Sequence, residues 1–338
     1  MSRRVLIARL DAVGDVLLAG PAVRAVADRA KVVLLTGPRG ARAAELLPGV
    51  GEVLTWAAPW IEPAPAPDCN PDHLDALVTA VRARRCDEAI VLTSFHQSAL
   101  PTALALRLAG IRRITAISED YPGALLDVRV ADPGDVPEPQ RGLAVAAAAG
   151  FPLPAGDLGG LAVRRPLPDT APLTGPGRYV VLHPGTSVSA RSWPEACWAD
   201  TARELDRHGF RVVVTGGPGE RGLTAAVAGG AARDLGGRTT LRELADVLDR
   251  AGTVVVANTG PAHLAAAVGT PVVSLFAPTV PAARWAPYGV PLELLGDQQA
   301  PCRDTRATRC PVPGHPCLAA VTPDDVVAAH DRLGTVAA

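Results

Sequence analysis

Short apolar runs recur along this chain, each followed by a small polar turn and then by a segment whose apolar residues return at helical spacing. Runs at 5–9, 32–36, 53–55, 88–93 and 114–117 predict five buried strands in the first half. Runs at 179–182, 211–214, 254–257 and 271–276 predict four more in the second. Between them lie helical patterns, among them Val16, Leu17, Val23 and Val26, a helix near 73–84, one ending at 108, one at 139–149, and Leu241, Leu244, Val247 and Leu248. Strands that are apolar on both faces and alternate with helices predict parallel sheets covered on both sides, an α/β chain. A proline-rich stretch at 57–71 reads as a surface loop, and another at 152–176 as a linker between two domains.

At 338 residues the chain suits two such domains. The formal charge of −1 offers no basic field for nucleic acid. Hydrophobic residues make up 48% of the sequence. Even so, no apolar run approaches the length of a membrane span, and no export signal heads the sequence. A cytoplasmic protein is expected, with peripheral contact to a membrane left open. Lys31 is the only lysine among 33 basic residues, a bias we assign to base composition.

The turns after the strands carry the chemistry, because open α/β sheets bind ligands at the carboxyl ends of their strands. The most telling junction is Val254 to Ala267, in which a strand stops at Asn258-Thr259-Gly260 and opens into an Ala-rich helix with Pro261 in its first turn. Backbone amides and a helix dipole there favour an anion such as phosphate, while Asn258 or Thr259 acting as a plain helix cap is the simpler reading. Asp15 follows the first strand and is either a general base or an acid on a helix dipole. His96 and Gln97 follow the 88–93 strand as possible substrate contacts or helix-entry residues. After the 179–182 strand, Thr186, Ser187 and Ser189 with Arg191 could hold phosphate oxygens. Gly217-Pro218-Gly219-Glu220-Arg221-Gly222 has the form G-x-G-x-x-G of a dinucleotide fingerprint, but it does not follow the first strand of its domain. Glu220 accepting from a ribose hydroxyl fits as well.

Four blocks, Asp11-Ala12-Val13-Gly14-Asp15-Val16, His183-Pro184-Gly185 with Arg191-Ser192-Trp193-Pro194, Gly216 to Glu220, and Asn258 to Leu264, resemble in order those of glycosyltransferase family 9, the ADP-heptose-using heptosyltransferases. The resemblance runs from about residue 4 to residue 330. It implies a GT-B fold, two Rossmann-like lobes with parallel sheets facing a central cleft: 1–165 for the acceptor, 166–322 for the nucleotide sugar, and 323–338 as a C-terminal helix packing back on the first domain. It implies Asp15 as catalytic base, Thr186, Ser187 and Arg191 at the diphosphate, Glu220 at the ribose, and Thr259, Gly260 and His263 around the phosphates and sugar. Arg9 matches a basic position near the reaction centre. Two positions depart from the lipopolysaccharide enzymes. Arg191 stands where they commonly have Lys, and Asn258 where they commonly have an Asp that contacts the donor sugar.

The implied reaction is transfer of a sugar, heptose from ADP-heptose, to a hydroxyl of a glycan or small-molecule acceptor with inversion. Asp15 takes the proton, while Arg191 and the amides at Gly260 stabilise the leaving diphosphate. No D-x-D motif is present, so no catalytic metal and no cofactor are expected. Cys302, Cys310, His315 and Cys317 offer four ligands for a structural zinc, yet their C-x7-C-x4-H-x-C spacing lacks the paired C-x2-C, and reduced thiols are expected instead. Two other readings are an NAD-dependent oxidoreductase, from the glycine motif, and a non-catalytic nucleotide-sugar-binding protein, which would not need Asp15.

Overall fold

The computed structural model describes residues 3 to 336. The chain divides into two units, Met1–Arg164 and Arg165–Ala338. In the first, β1 (Arg4–Arg9), β2 (Lys31–Thr36), β3 (Val50–Thr55), β4 (Glu88–Val91), β5 (Arg113–Ile117) and β6 (Val128–Val130) form one sheet in the order β3-β2-β1-β4-β5-β6. Every pairing in it is parallel. In the second, β7 (Val180–His183), β8 (Val212–Val214), β9 (Arg233–Asp234), β10 (Thr253–Ala257), β11 (Val272–Leu275) and β12 (Leu292–Leu295) repeat the plan as β12-β11-β10-β7-β8-β9, again all parallel. Both are doubly wound sheets, and in each the strand order reverses beside the first strand: between β1 and β4, and between β7 and β10.

The apolar runs form the central strands because both their faces are covered. Leu6, Ile7, Leu34 and Leu35 are fully buried in one sheet, and Val181, Leu182, Val254, Val255 and Val256 in the other. Three strands have no counterpart among the predicted runs, β6, β9 and β12, and all three lie at sheet edges. β9 has two residues and β6 reads Val-Arg-Val, too short and too polar for a buried run.

Most of the expected 152–176 linker is not free chain. Arg24 binds Asp157 through Nε at 2.7 Å and Nη2 at 2.9 Å, and Gly160 O at 2.8 Å, which fixes this stretch to the first unit. Arg164 donates from Nε to Leu47 O at 2.8 Å, and its own amide to Leu46 O at 2.7 Å. Its neighbour Arg165 instead forms a two-pronged pair with Asp249 at 2.7 and 2.9 Å. The side chain and amide of Thr170 then bind Asp246 at 2.6 and 2.9 Å.

The C-terminal helix Pro323–Val336 packs on helix Glu195–Arg207 and on β12 within its own unit. Val326, Val327, Ala329 and Leu333 belong to the same core as Trp193, Trp198, Val212 and Val273, so its apolar face is spent there. His330 Nδ1 meets Thr253 Oγ1 at 3.0 Å and its ring sits edge-on to Phe210 at 4.6 Å. Residues 337 and 338 of the expected 323–338 segment lie outside the described residues. No helix among the described residues is long and apolar enough to cross a membrane.

Candidate functional site

In the first unit the turns after β1 and β4 meet where the strand order reverses. Arg9, the last residue of β1, is 4% exposed, and carboxylates from three directions hold it. Its Nη2 lies 2.9 Å from Asp15 Oδ1 and 2.9 Å from Ser94 Oγ, its Nε 3.0 Å from Asp11 Oδ2, and its Nη1 3.4 Å from Glu138 Oε2. Burial works against that charge, but Asp11, Asp15 and Glu138 outweigh it and hold the guanidinium protonated above its usual range. Asp15 stands in the first turn of helix Val13–Leu18 with its side chain about a quarter exposed and its carboxylate oriented by Arg9. Burial raises the neighbouring Asp11 carboxyl despite Arg9.

Gln97 joins this network. It donates to Asp11 Oδ1 at 2.6 Å while accepting from the Ser94 amide at 3.1 Å, so it locks the β4 turn onto the β1 turn. His96 is exposed, its ring edge-on to Phe95 at 5.4 Å. Two members were not anticipated. Glu138 and Arg141, each 4% exposed, come from the first turn of helix Glu138–Ala148, and Arg141 also pairs with Asp132. A small cavity beside them is walled by Arg9, Asp15, Leu18, Leu92, Ile117 and Arg141.

In the second unit the turns after β7 and β10 occupy the equivalent place. Neither Asn258 nor Thr259 caps helix Gly260–Val268 with its side chain, so the plain capping reading does not hold. Thr259 Oγ1 is buried with no hydrogen-bond partner among the described residues, beside the open first turn of that helix. Asn258 is turned inward, 5% exposed: Nδ2 donates to Ala277 O at 3.2 Å and Oδ1 accepts from Ala277 N at 3.4 Å. What it shows to the β7 turn is its carbonyl, which receives Arg191 Nη1 at 3.1 Å. His263 is buried on the first turn of the same helix.

Arg191 ends the short turn Ser189–Arg191. Thr186 Oγ1 braces that loop through Val188 O and Ser192 Oγ, both at 3.0 Å, whereas Ser187 is exposed. Glu220 folds back so that Oε2 accepts from the Gly217 amide at 2.6 Å, and its carboxylate lies where any side chain on Gly185 would stand. A side chain there would have to displace that carboxylate. The glycine motif thus makes a tight turn that delivers Glu220 to the β7 loop, and since it follows β8 rather than β7 it is not a dinucleotide fingerprint. Under this loop His183 is buried, Nδ1 against Thr215 Oγ1 at 2.9 Å, and burial lowers it to about 4, with Glu220 opposing only in part.

Cys302, Cys310 and Cys317 are free thiols, and no group of three or more His, Cys, Asp or Glu side chains among the described residues could hold a metal ion. His315 Nε2 is instead 3.1 Å from Ala190 O, and Cys310 Sγ is 3.3 Å from Val312 O.

The chain is similar to known proteins. Lipopolysaccharide heptosyltransferase 3 of Escherichia coli is 31% identical over 164 residues, 46% of this chain and 46% of its own length. Lipopolysaccharide heptosyltransferase 1 of Pseudomonas aeruginosa is 36% identical over 167 residues, 48% of this chain and 45% of its own. The matched stretch is about half the length of these curated relatives. Among solved structures, the ADP-heptose lps heptosyltransferase II of E. coli superposes with a TM-score of 0.75 at 19% identity, covering 99% of both chains. An E. coli heptosyltransferase solved with ADP-2-deoxy-2-fluoro heptose gives 0.71 at 22% identity, covering 97% of this chain and 99% of its own. At such identities the likeness is one of fold, the GT-B type. Residues 75–314 match the family model for glycosyltransferase family 9 (heptosyltransferase), and with that match over most of its length the chain belongs to this family.

Proposed function

We propose that the chain is an inverting glycosyltransferase that moves a sugar, most simply heptose, from an ADP-linked donor to an acceptor hydroxyl. The observation that carries the reading is the turn pair after β7 and β10, where Arg191, the uncapped start of helix Gly260–Val268 and the Thr259 hydroxyl gather at one edge. A cation, oriented amides and a hydroxyl suit a diphosphate that gains negative charge as it leaves. Glu220, held by the Gly217 amide, takes the ribose hydroxyls, and His263 lies toward the transferred sugar. Asn258 acts through its carbonyl and its grip on Ala277.

In the first unit Asp15 is the base. Arg9 orients its carboxylate through Nη2 at 2.9 Å, and the acceptor is a hydroxyl-bearing glycan or small molecule. The donor charge is met by Arg191 and backbone amides, without a metal or cofactor. The relatives' names connect them to lipopolysaccharide, and the structure titles to ADP and an ADP-heptose analogue; we extend ADP to this chain and leave lipopolysaccharide as one acceptor class. The reaction belongs in the cytoplasm, where nucleotide sugars are made.

Thermal-shift measurements with ADP, UDP, GDP and dTDP test the donor, with ADP expected to stabilise most, by mass action on the folded state. D15N should lower turnover by a factor of about 100 or more while leaving ADP affinity intact. A larger shift with UDP overturns the adenine assignment, and an active D15N overturns the base.

A further inference from the structure

The cysteine-bearing segment 302–317 has no part in the reaction as described, yet its hydrogen bonds lead back to Arg191. Thr308 O accepts from Ala190 N at 3.1 Å and from Ser189 Oγ at 3.2 Å. His315 Nε2 meets Ala190 O at 3.1 Å, and since a carbonyl only accepts, that nitrogen carries the proton. Both backbone groups of Ala190, the residue before Arg191, are therefore held by this segment.

The same segment also grips the turn after β11. Asp304 N donates to Pro278 O and Arg306 N to Thr279 O, each at 2.8 Å. Asp304 and Arg306 adopt left-handed backbone, with φ of 59° and 55°. Residues that carry a side chain meet that cost only where surrounding contacts demand it. One residue before that turn, Ala277 holds the Asn258 side chain, and Asn258 O receives Arg191. The contacts thus close a ring: Arg191 to Asn258, Ala277 and the turn after β11, then 304–308, and back to Ser189 and Ala190.

The ends of the segment are pinned by Cys302 and Cys317, each 1% exposed in the core of the unit. Burial, with the nearby Cys302 thiol, pushes Cys317 up to about 12, so it stays protonated and serves as an apolar anchor. Pro311, Pro313 and Pro316 stiffen the return to His315.

We propose that residues 302–317 form a strap that sets the Arg191 turn for a diphosphate, with His315 as its positioning residue. This rests on the donor role given to Arg191 above. The test is calorimetric binding of ADP and AMP to the full chain, since AMP lacks the second phosphate. H315A should weaken ADP about fivefold, the worth of one hydrogen bond, and AMP less than about twofold. H315Q, whose amide can again donate to Ala190 O, should restore most of the loss. S189A, which removes one hydroxyl from an exposed side chain, covers the case that H315A folds poorly, and should lower the ADP to AMP preference in the same direction.

Equal weakening of both nucleotides, or an unchanged preference in H315A and S189A, overturns the strap. Wild-type protein with no preference for ADP over AMP overturns the donor assignment itself, a distinct result.

Discussion

His183 shows how one buried side chain couples the donor loop to pH. Its ring is buried, and the folded state holds it neutral down to about 4, whereas an unfolded histidine titrates near its ordinary 6.5. The unfolded chain therefore binds the extra proton first. Stability from this group is complete above about pH 6.5 and is lost as pH falls toward 4, by up to about 3 kcal/mol. Denaturant unfolding between pH 7 and 4 should show this loss, and H183N should flatten it; an H183N profile as steep as the wild type would refute the assignment.

Legibility in the sequence varies by residue for physical reasons. Arg9 announces itself as a charge ending an apolar strand, and Arg191 and Thr259 as polar groups at strand-to-helix turns. Glu138 and Arg141 do not, because they read as ordinary charged residues of a helix start, and only the tertiary fold brings them to Arg9. The inward turn of Asn258 is likewise set by Ala277, a residue with no polar side chain to signal the contact.

Among the elements, central strands are readable and edge strands are not. A strand covered on both sides is mostly apolar, as in β10, where all five residues are buried and four of them, Val254 to Ala257, are apolar, and such a run stands out. β6 keeps an exposed Arg129 between two half-buried valines, the pattern of an edge, and looks like loop. The helix Pro323–Val336 is legible as an element while its packing surface is not, since an amphipathic pattern names a buried face without naming what buries it. This packing has a measurable effect. Ending the chain at 322 strips Val326, Val327, Ala329 and Leu333 from the core around Trp198, a loss of roughly 5 kcal/mol or more. Such a truncation should leave the second unit unfolded, seen as lost near-ultraviolet circular dichroism and lost ADP binding.

Across the whole molecule, the plan is one topology used twice. Each unit has its own sheet, its own core and its own pair of turns where strand order reverses. The residues assigned to the diphosphate and ribose all lie after 165, and those around Asp15 all lie before it. A fragment of 165–338 should therefore fold alone and bind ADP with affinity close to that of the intact chain, without transferring sugar. Calorimetry on the purified fragment decides this, and a fragment that is folded but blind to ADP would show that the donor site needs the first unit.

Arg164 and Arg165 are adjacent in the chain but committed to different units, the first to carbonyls beside β3 and the second to Asp249. Such an abrupt handover gives recombination a clean seam. Halves from divergent family members could be exchanged there with both arginine anchorages retained, so that what is received and what is given away can diverge in separate lineages.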